Sequence, residues 1–129
     1  MLELHLVRGL PGSGKSTFAK QWLYNHPHTF HWEADQFVPR GSGDEYLYKK
    51  EDAGFYHARC LACTFSSLIS GTNCVVSNTF TQYWEIAPYI DIANRAKAKL
   101  FIHICREDYG TKHPIPPEVI QLMKERWEE

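Results

Sequence analysis

The sequence has no long hydrophobic run and no marked excess of charge of either sign. Its strongly apolar stretches, such as 74–76 and 100–102, are far shorter than the roughly 18 to 20 residues needed to cross a bilayer. The formal net charge is −1, so the chain as a whole does not have the composition of a basic nucleic-acid coat. Residues 1–5 lack the basic and apolar regions of a signal peptide. We therefore expect a cytoplasmic protein with no contact with a membrane.

Cysteine is scarce, with four residues in 129. Cys60 and Cys63 form a Cys-x-x-Cys pair, but they lie in a segment of helical periodicity, and no second pair follows at zinc-finger spacing. The histidines also show no spacing typical of a metal site. We therefore predict that the thiols are reduced, buried and structural.

The length and the hydrophobic content of 43% suit one folded domain, which we assign to residues 1–129. Apolar periodicity predicts strands near 2–8, 29–33, 73–77 and 99–104. It predicts a first helix from near Gly14 to about Asn25, one long helix over 46–69 or two with a break near Gly54, a helix over about 84–98, and a last helix from Pro117 onward. Strands that alternate with helices imply right-handed crossovers. The prediction is a three-layer α/β/α fold with a mainly parallel sheet of about four strands. We expect the last helix to bury Val119, Ile120, Met123 and Trp127.

A glycine-rich stretch follows the first predicted strand and begins the first predicted helix. Residues 9–16, Gly-Leu-Pro-Gly-Ser-Gly-Lys-Ser, fit the phosphate-loop pattern Gly-x-x-x-x-Gly-Lys-Ser. Glycine lets backbone N–H groups surround phosphates, and the N-terminus of a helix favours an anion. Lys15 is expected to reach the outer phosphates, and Ser16 to be a Mg²⁺ ligand. We therefore predict an ATP site on Leu10, Pro11, Gly12, Ser13, Gly14, Lys15, Ser16 and Thr17.

The phosphate loop alone does not identify the reaction, because its folds serve several. The sequence contains no guanine-reading Asn-Lys-x-Asp segment, which argues against a GTPase. A motor ATPase generally needs a larger sheet and a lid domain than 129 residues allow. A small kinase remains as the interpretation.

Three positions are candidates for kinase chemistry at the carboxyl edge of the sheet. Asp35 follows the second predicted strand and could accept a proton from an attacking hydroxyl, with Glu33 as a competitor and a helix cap as the structural alternative. Ser77 and Asn78 end the third strand, where phosphate-loop enzymes commonly place an aspartate of the metal shell. Both could hydrogen-bond metal-bound water without supplying charge, and a strand-to-helix turn with a cap is the structural alternative. Arg106 is our first candidate for the cation over the migrating phosphoryl group, and a solvated surface role is equally open. The alternative cations are Arg8, Arg40 and Lys112.

Several aromatic residues could stack a nucleobase, because a ring face accepts any base. We expect most of them to lie in the core and one or two to line a cleft. These residues are Tyr46, Tyr48, Phe55, Tyr56, Phe80, Tyr83 and Trp84.

With these motifs, the sequence resembles the kinase domain of bacteriophage polynucleotide 5′-hydroxyl kinase and related small phosphate-loop kinases of the type found in NEDD4-binding protein 2. The resemblance spans nearly the whole chain and is carried by residues 9–17, 34–37, 75–81 and 110–120. It implies ATP-dependent transfer of the γ-phosphoryl group to a 5′-hydroxyl of DNA or RNA. In that case Lys15 and Ser16 hold ATP and Mg²⁺, Asp35 is the general base, and the partner is a nucleic-acid 5′ end.

The chain departs from that family in the part that carries its arginines. Tyr109 stands where those kinases have an arginine before the glycine at 110, and position 38 is valine rather than a substrate-side arginine. Arg106 is then the candidate substitute for the missing cation. Two alternatives stay open: a kinase for a small hydroxyl compound such as a nucleoside or sugar, and a weakly catalytic ATP-binding protein that regulates a protein partner.

Overall fold

Four parallel strands form the sheet of this protein, described in a computed structural model for residues 1–108 and 115–129. The strands are β1 (Glu3–Arg8), β2 (Thr29–Trp32), β3 (Asn73–Asn78) and β4 (Lys99–Ile104). Their order across the sheet is β2-β3-β1-β4, and every neighbouring pair is parallel. The prediction of an α/β fold with a parallel sheet of about four strands is confirmed.

Helices cover both faces of the sheet. They are α1 (Lys15–Asn25), α2 (Ala53–Ile69), α3 (Tyr83–Ala96) and α4 (Pro117–Glu125). Because side chains alternate along a strand, Leu4 and Leu6 of β1 join the core with α2 and α3, whereas Val7 joins a smaller cluster with Ala19 of α1. The three layers follow directly from this alternation.

The predicted helix over 46–69 begins later than its periodicity indicates. The α-helix starts at Ala53, after a short 3₁₀ turn at Lys50–Asp52, so Gly54 lies in the first turn and marks no break. Upstream the chain is extended: Arg40 and Tyr46 form an antiparallel bridge, and the Tyr46 and Tyr48 rings stack with centroids 6.0 Å apart. The pairing of Tyr46 with Arg40 therefore takes this segment out of the helix that the sequence prediction extended to it.

The prediction for the last helix is correct in its start at Pro117 and wrong in its buried face. No residue of α4 is buried, and Val119 is 37% exposed. Ile120, Met123 and Trp127 are only half-buried. The helix contacts the body of the protein mainly through the residues after its end, where the Glu128 backbone N–H donates to the Thr81 carbonyl at 2.7 Å.

The aromatic residues are more exposed than the sequence suggested. Tyr56 and Phe80 are buried as expected. Most of the others are not in the core, namely Tyr48, Phe55, Tyr83 and Trp84.

All four cysteines are free, as predicted, and Cys60 and Cys74 are buried, but Cys63 and Cys105 are only half-buried. Over residues 1–108 and 115–129, no helix has both the length and the apolar character for crossing a bilayer. Within the same ranges, His, Cys, Asp and Glu side chains form no group of three or more suited to a metal ion.

Candidate active site

The phosphate loop connects β1 to α1 in a closely fitted turn. Gly12 and Gly14 have positive φ angles of 80° and 97°, which side-chain-bearing residues adopt at a cost. At Gly9 the constraint is space, because an added Cβ would lie 2.1 Å from Ser13 Oγ and 2.8 Å from the carbonyl oxygen of Cys105. The sequence prediction that glycine is required in this loop therefore has two separate physical reasons.

The loop carries polar groups suited to an anion. Ser13 Oγ is buried without a hydrogen-bond partner, a costly state that a ligand oxygen would relieve. The Lys15 ammonium donates to the Leu10 carbonyl at 3.0 Å and so lies across the loop. Burial lowers the pKa of Lys15, opposed by the nearby Glu33 carboxylate. An added negative charge would stabilise the protonated amine, so the residues present fit a polyphosphate.

A carboxylate from the end of β2 contacts the phosphate loop. Glu33 Oε2 accepts hydrogen bonds from Ser77 Oγ at 2.8 Å and from Ser16 Oγ at 3.3 Å. His31 Nε2 lies 2.6 Å from the same Ser77 hydroxyl, and burial lowers the pKa of this histidine. The oxygen atoms of Glu33, Ser16 and Ser77 are of the ligand type that Mg²⁺ prefers, so the site also fits a divalent cation.

Asn78 is turned away from this cluster and holds the neighbouring turn. Its Oδ1 accepts from the Ala34 backbone N–H at 2.8 Å, and its Nδ2 donates to Cys60 Sγ at 3.7 Å. The residue is 6% exposed. Asn78 therefore fixes the start of the 3₁₀ turn Ala34–Phe37, which carries Asp35.

The Asp35 carboxylate is already paired. Arg40 Nη2 lies 3.3 Å from Asp35 Oδ2, and the Tyr46 hydroxyl hydrogen-bonds the same side chain. Burial and this hydrogen bond raise the pKa of Tyr46. The Arg40 guanidinium also lies 4.8 Å from the centre of the Tyr46 ring. Arg40, an alternative candidate for the phosphoryl cation, is thus placed beside Asp35.

The other candidate cations have different environments. The Arg106 guanidinium forms a two-pronged ion pair with Glu129, at 2.9 Å from Nη1 to Oε1. Arg8 is 2% exposed and donates to the Phe80 and Glu128 carbonyls, with its guanidinium 4.4 Å from the Trp127 ring centre. Arg8 is therefore enclosed by protein. Lys112, Tyr109 and the glycine at 110 lie outside the described residues.

Two open clefts flank the phosphate loop. The first has a volume of about 300 Å³ and is lined by Leu10, Ser13, Arg106 and Trp127, among others. The second, of about 320 Å³, shares Ser13 with the first and is lined by Gly14, Thr17 and Gln21, among others. Both offer room for groups attached to a phosphate chain bound in the loop.

The sheet order and the loop between β1 and α1 define the phosphate-loop kinase fold. The chain belongs to a family described as AAA domain, which it matches over residues 4–113.

Solved structures of kinases and of an RNA repair complex share this fold. A chain of the Pnkp1/Rnl/Hen1 RNA repair complex is 20% identical, with a TM-score of 0.72 over 98% of this chain and 46% of its own length. A gluconokinase from Sinorhizobium meliloti is 20% identical, with a TM-score of 0.63 over 98% of this chain and 75% of that one.

The APS kinase CysC of Mycobacterium tuberculosis, in complex with AMPPNP and APS, is 16% identical, with a TM-score of 0.58 over 94% of this chain and 67% of that one. In two structures of Pnkp1/Rnl/Hen1 complexes, the chain spans only 38% and 46% of the length of the protein it matches. At these identities the comparison concerns the fold.

The structure brings some predicted site residues together and separates others. Lys15, Ser16 and Glu33 form one cluster, and Asp35 lies two residues along the same edge. Sequence reasoning missed the contact of Glu33 with Ser16, although it named Glu33. It also missed Glu129 as the partner of Arg106, because the two lie 23 residues apart and no short pattern links them.

Proposed function

We propose that the chain is an ATP-dependent kinase that transfers the γ-phosphoryl group to a 5′-hydroxyl end of a polynucleotide. The observation that carries the proposal is the placement of the phosphate loop and Asp35 at the same carboxyl edge of a parallel sheet. Ligands of open α/β sheets bind at this edge. A phosphate donor in the loop and an acceptor hydroxyl near Asp35 would therefore meet there.

The roles of the residues follow from their chemistry. Lys15 and the backbone N–H groups of 12–17 would bind the phosphates, and Ser16 would ligate Mg²⁺. Asp35 would take the proton of the acceptor hydroxyl as its oxygen bonds the γ-phosphorus. The bond from that phosphorus to the β–γ bridging oxygen breaks, and ADP leaves. Arg106, after release from Glu129, would stabilise the charge on the migrating group.

A polynucleotide acceptor is supported by the surroundings of Asp35. Tyr46 hydrogen-bonds Asp35 and stacks on Tyr48. The Tyr48 side chain is 48% exposed. Exposed ring faces can stack unpaired bases of any identity. Arg40, at the same place, offers a cation for a phosphate of the nucleic-acid backbone.

The test is transfer of label from γ-³²P-ATP to 5′-hydroxyl oligonucleotides of DNA and RNA, with a parallel panel of nucleosides and sugars. We expect label on oligonucleotides and a loss of about 10³-fold in rate for Lys15→Ala. Lys20→Ala is the matched control, because Lys20 lies exposed on the same helix. Label that appears only on small acceptors would reject the polynucleotide substrate and favour a small-molecule kinase.

A second candidate is an ATP-binding protein with weak catalysis that regulates a protein partner. It is favoured by one observation: Asp35 and Arg106 are both engaged in ion pairs. Asp35→Asn separates the two candidates. A kinase loses phosphoryl transfer in this variant, whereas a binding protein keeps both its ATP affinity and its ATP-dependent partner binding.

A further inference from the structure

We propose that Glu33, from the end of β2, supplies the carboxylate of the magnesium shell in place of the aspartate that phosphate-loop enzymes commonly carry at the end of β3. This rests on the proposed function only in that a nucleotide and Mg²⁺ bind in the phosphate loop.

The geometry places Glu33 directly against the predicted magnesium ligand. The Ser16 hydroxyl donates to Glu33 Oε2 at 3.3 Å, which leaves the lone pairs of the hydroxyl oxygen available to a metal ion. The Ser77 hydroxyl donates to the same carboxylate oxygen at 2.8 Å. One oxygen of Glu33 therefore bridges the phosphate loop and the end of β3.

The strand register explains how Glu33, directly after β2, lies beside the end of β3. β2 pairs with β3 in parallel, with Trp32 opposite Val76, so Glu33 lies alongside Ser77. β3 pairs in turn with β1, with Ser77 opposite Val7, and β1 leads into the phosphate loop. The glutamate side chain is long enough to reach across the end of β3 to the phosphate loop, where Ser16 donates a hydrogen bond to it.

The neighbouring polar residues Asn78 and Asp35 contact other groups instead of Ser16. Asn78 contributes no charge, and its amide contacts the Ala34 N–H and Cys60 Sγ. Asp35 is paired with Arg40 and hydrogen-bonded by Tyr46. Among the described residues, Glu33 is thus the carboxylate whose hydrogen bonds reach Ser16. A negative charge here would offset the cation and accept hydrogen bonds from its bound water.

The chemical role follows from how Mg²⁺ binds proteins. The ion keeps several water molecules and takes few direct protein ligands, so groups that orient those ligands contribute to its affinity. Loss of such an orienting partner typically costs about 10- to 100-fold in metal affinity. Glu33 is therefore a positioning residue, and its effect belongs to the nucleotide complex with the metal rather than to the nucleotide alone.

The experiment measures AMPPNP affinity by calorimetry in MgCl₂ and in EDTA. In the wild-type protein we expect Mg²⁺ to tighten binding. In Glu33→Gln, which keeps the size of the side chain and an acceptor oxygen, the gain from Mg²⁺ falls about 10-fold or more, while affinity in EDTA is maintained. Glu51→Gln is the matched control, because it makes the same carboxylate-to-amide change at an exposed residue of the 3₁₀ turn Lys50–Asp52 and should keep the full gain.

An unchanged gain in Glu33→Gln would overturn the proposal, and so would an equal loss in Glu51→Gln. A second measurement needs no variant: with Mn²⁺ replacing Mg²⁺ in the wild-type AMPPNP complex, the side-chain carboxyl NMR signal of Glu33 should broaden more than that of Asp35. The reverse order would assign the role to Asp35.

These results are separable from those of the proposed function. If Glu33→Gln loses the Mg²⁺ gain but no acceptor is ever labelled, the kinase proposal fails and the role of Glu33 stands. If wild-type protein binds AMPPNP with no gain from Mg²⁺, the Glu33 proposal fails while nucleotide binding stands. If AMPPNP does not bind under either condition, both fail.

Discussion

Gly9→Ala tests whether the phosphate loop is held by close contact. The added methyl would lie 2.8 Å from the Cys105 carbonyl oxygen and 2.1 Å from Ser13 Oγ. Ser13 can rotate, but Cys105 is tied to β1 by its N–H, which donates to the Arg8 carbonyl at 2.8 Å. Relief therefore requires movement of the loop or of the end of β4. Overpacking of this kind costs about 1–3 kcal/mol.

The matched control is Gly54→Ala, the same chemical change in an open position. No heavy atom lies within 4 Å of a Cβ built at Gly54, and this glycine lies in the first turn of α2. Alanine is favoured there by up to about 1 kcal/mol. The two substitutions should therefore change the free energy of unfolding in opposite directions.

The assay combines thermal unfolding with calorimetric titration of ATP. At this chain length, about 1 kcal/mol corresponds to a change in Tm of roughly 3–5 °C. We expect a lower Tm and weaker ATP binding for Gly9→Ala, and an equal or higher Tm with unchanged binding for Gly54→Ala. If Gly9→Ala matched the wild type in Tm and in ATP affinity, the reasoning about the crowded loop would be refuted.

Two further predictions concern stability. Trp127→Ala should destabilise the protein by about 2 kcal/mol, because it uncovers the guanidinium of buried Arg8. The control Trp84→Ala, at a residue 71% exposed, should change stability by less than about 0.5 kcal/mol. Equal effects of the two variants in urea unfolding would contradict this prediction. The protein should also lose stability as pH falls below about 6.5, because burial lowers the folded-state pKa of His31 and His103 and the unfolded chain then binds more protons. Urea unfolding from pH 7.5 to 5 measures this, and a His103→Gln variant that kept the full pH slope would exclude His103 as a source.

Local pattern was enough to predict the elements whose environment is set by their own sequence. The strand at Glu3–Arg8 begins with alternating apolar residues, and the loop after it has a specific glycine spacing. The strand is confirmed, and Gly12 and Gly14 of the loop have positive φ angles. The segment before α2 was not predictable in this way. The prediction extended the helical periodicity of residues 55–69 back to Tyr46, but Tyr46 pairs with Arg40 and hydrogen-bonds Asp35. Contacts across the chain decided its conformation.

The contact of Glu33 with Ser16 was also not predictable from local sequence pattern. The end of β3, where an acidic residue is expected, carries Ser77 and Asn78. A parallel sheet, however, aligns the ends of neighbouring strands at one edge, so a carboxylate that directly follows β2 can lie beside the end of β3. Glu33 contacts Ser77 and Ser16 through one oxygen atom. Charge at such an edge is therefore better predicted from lateral register than from the residue that ends a particular strand.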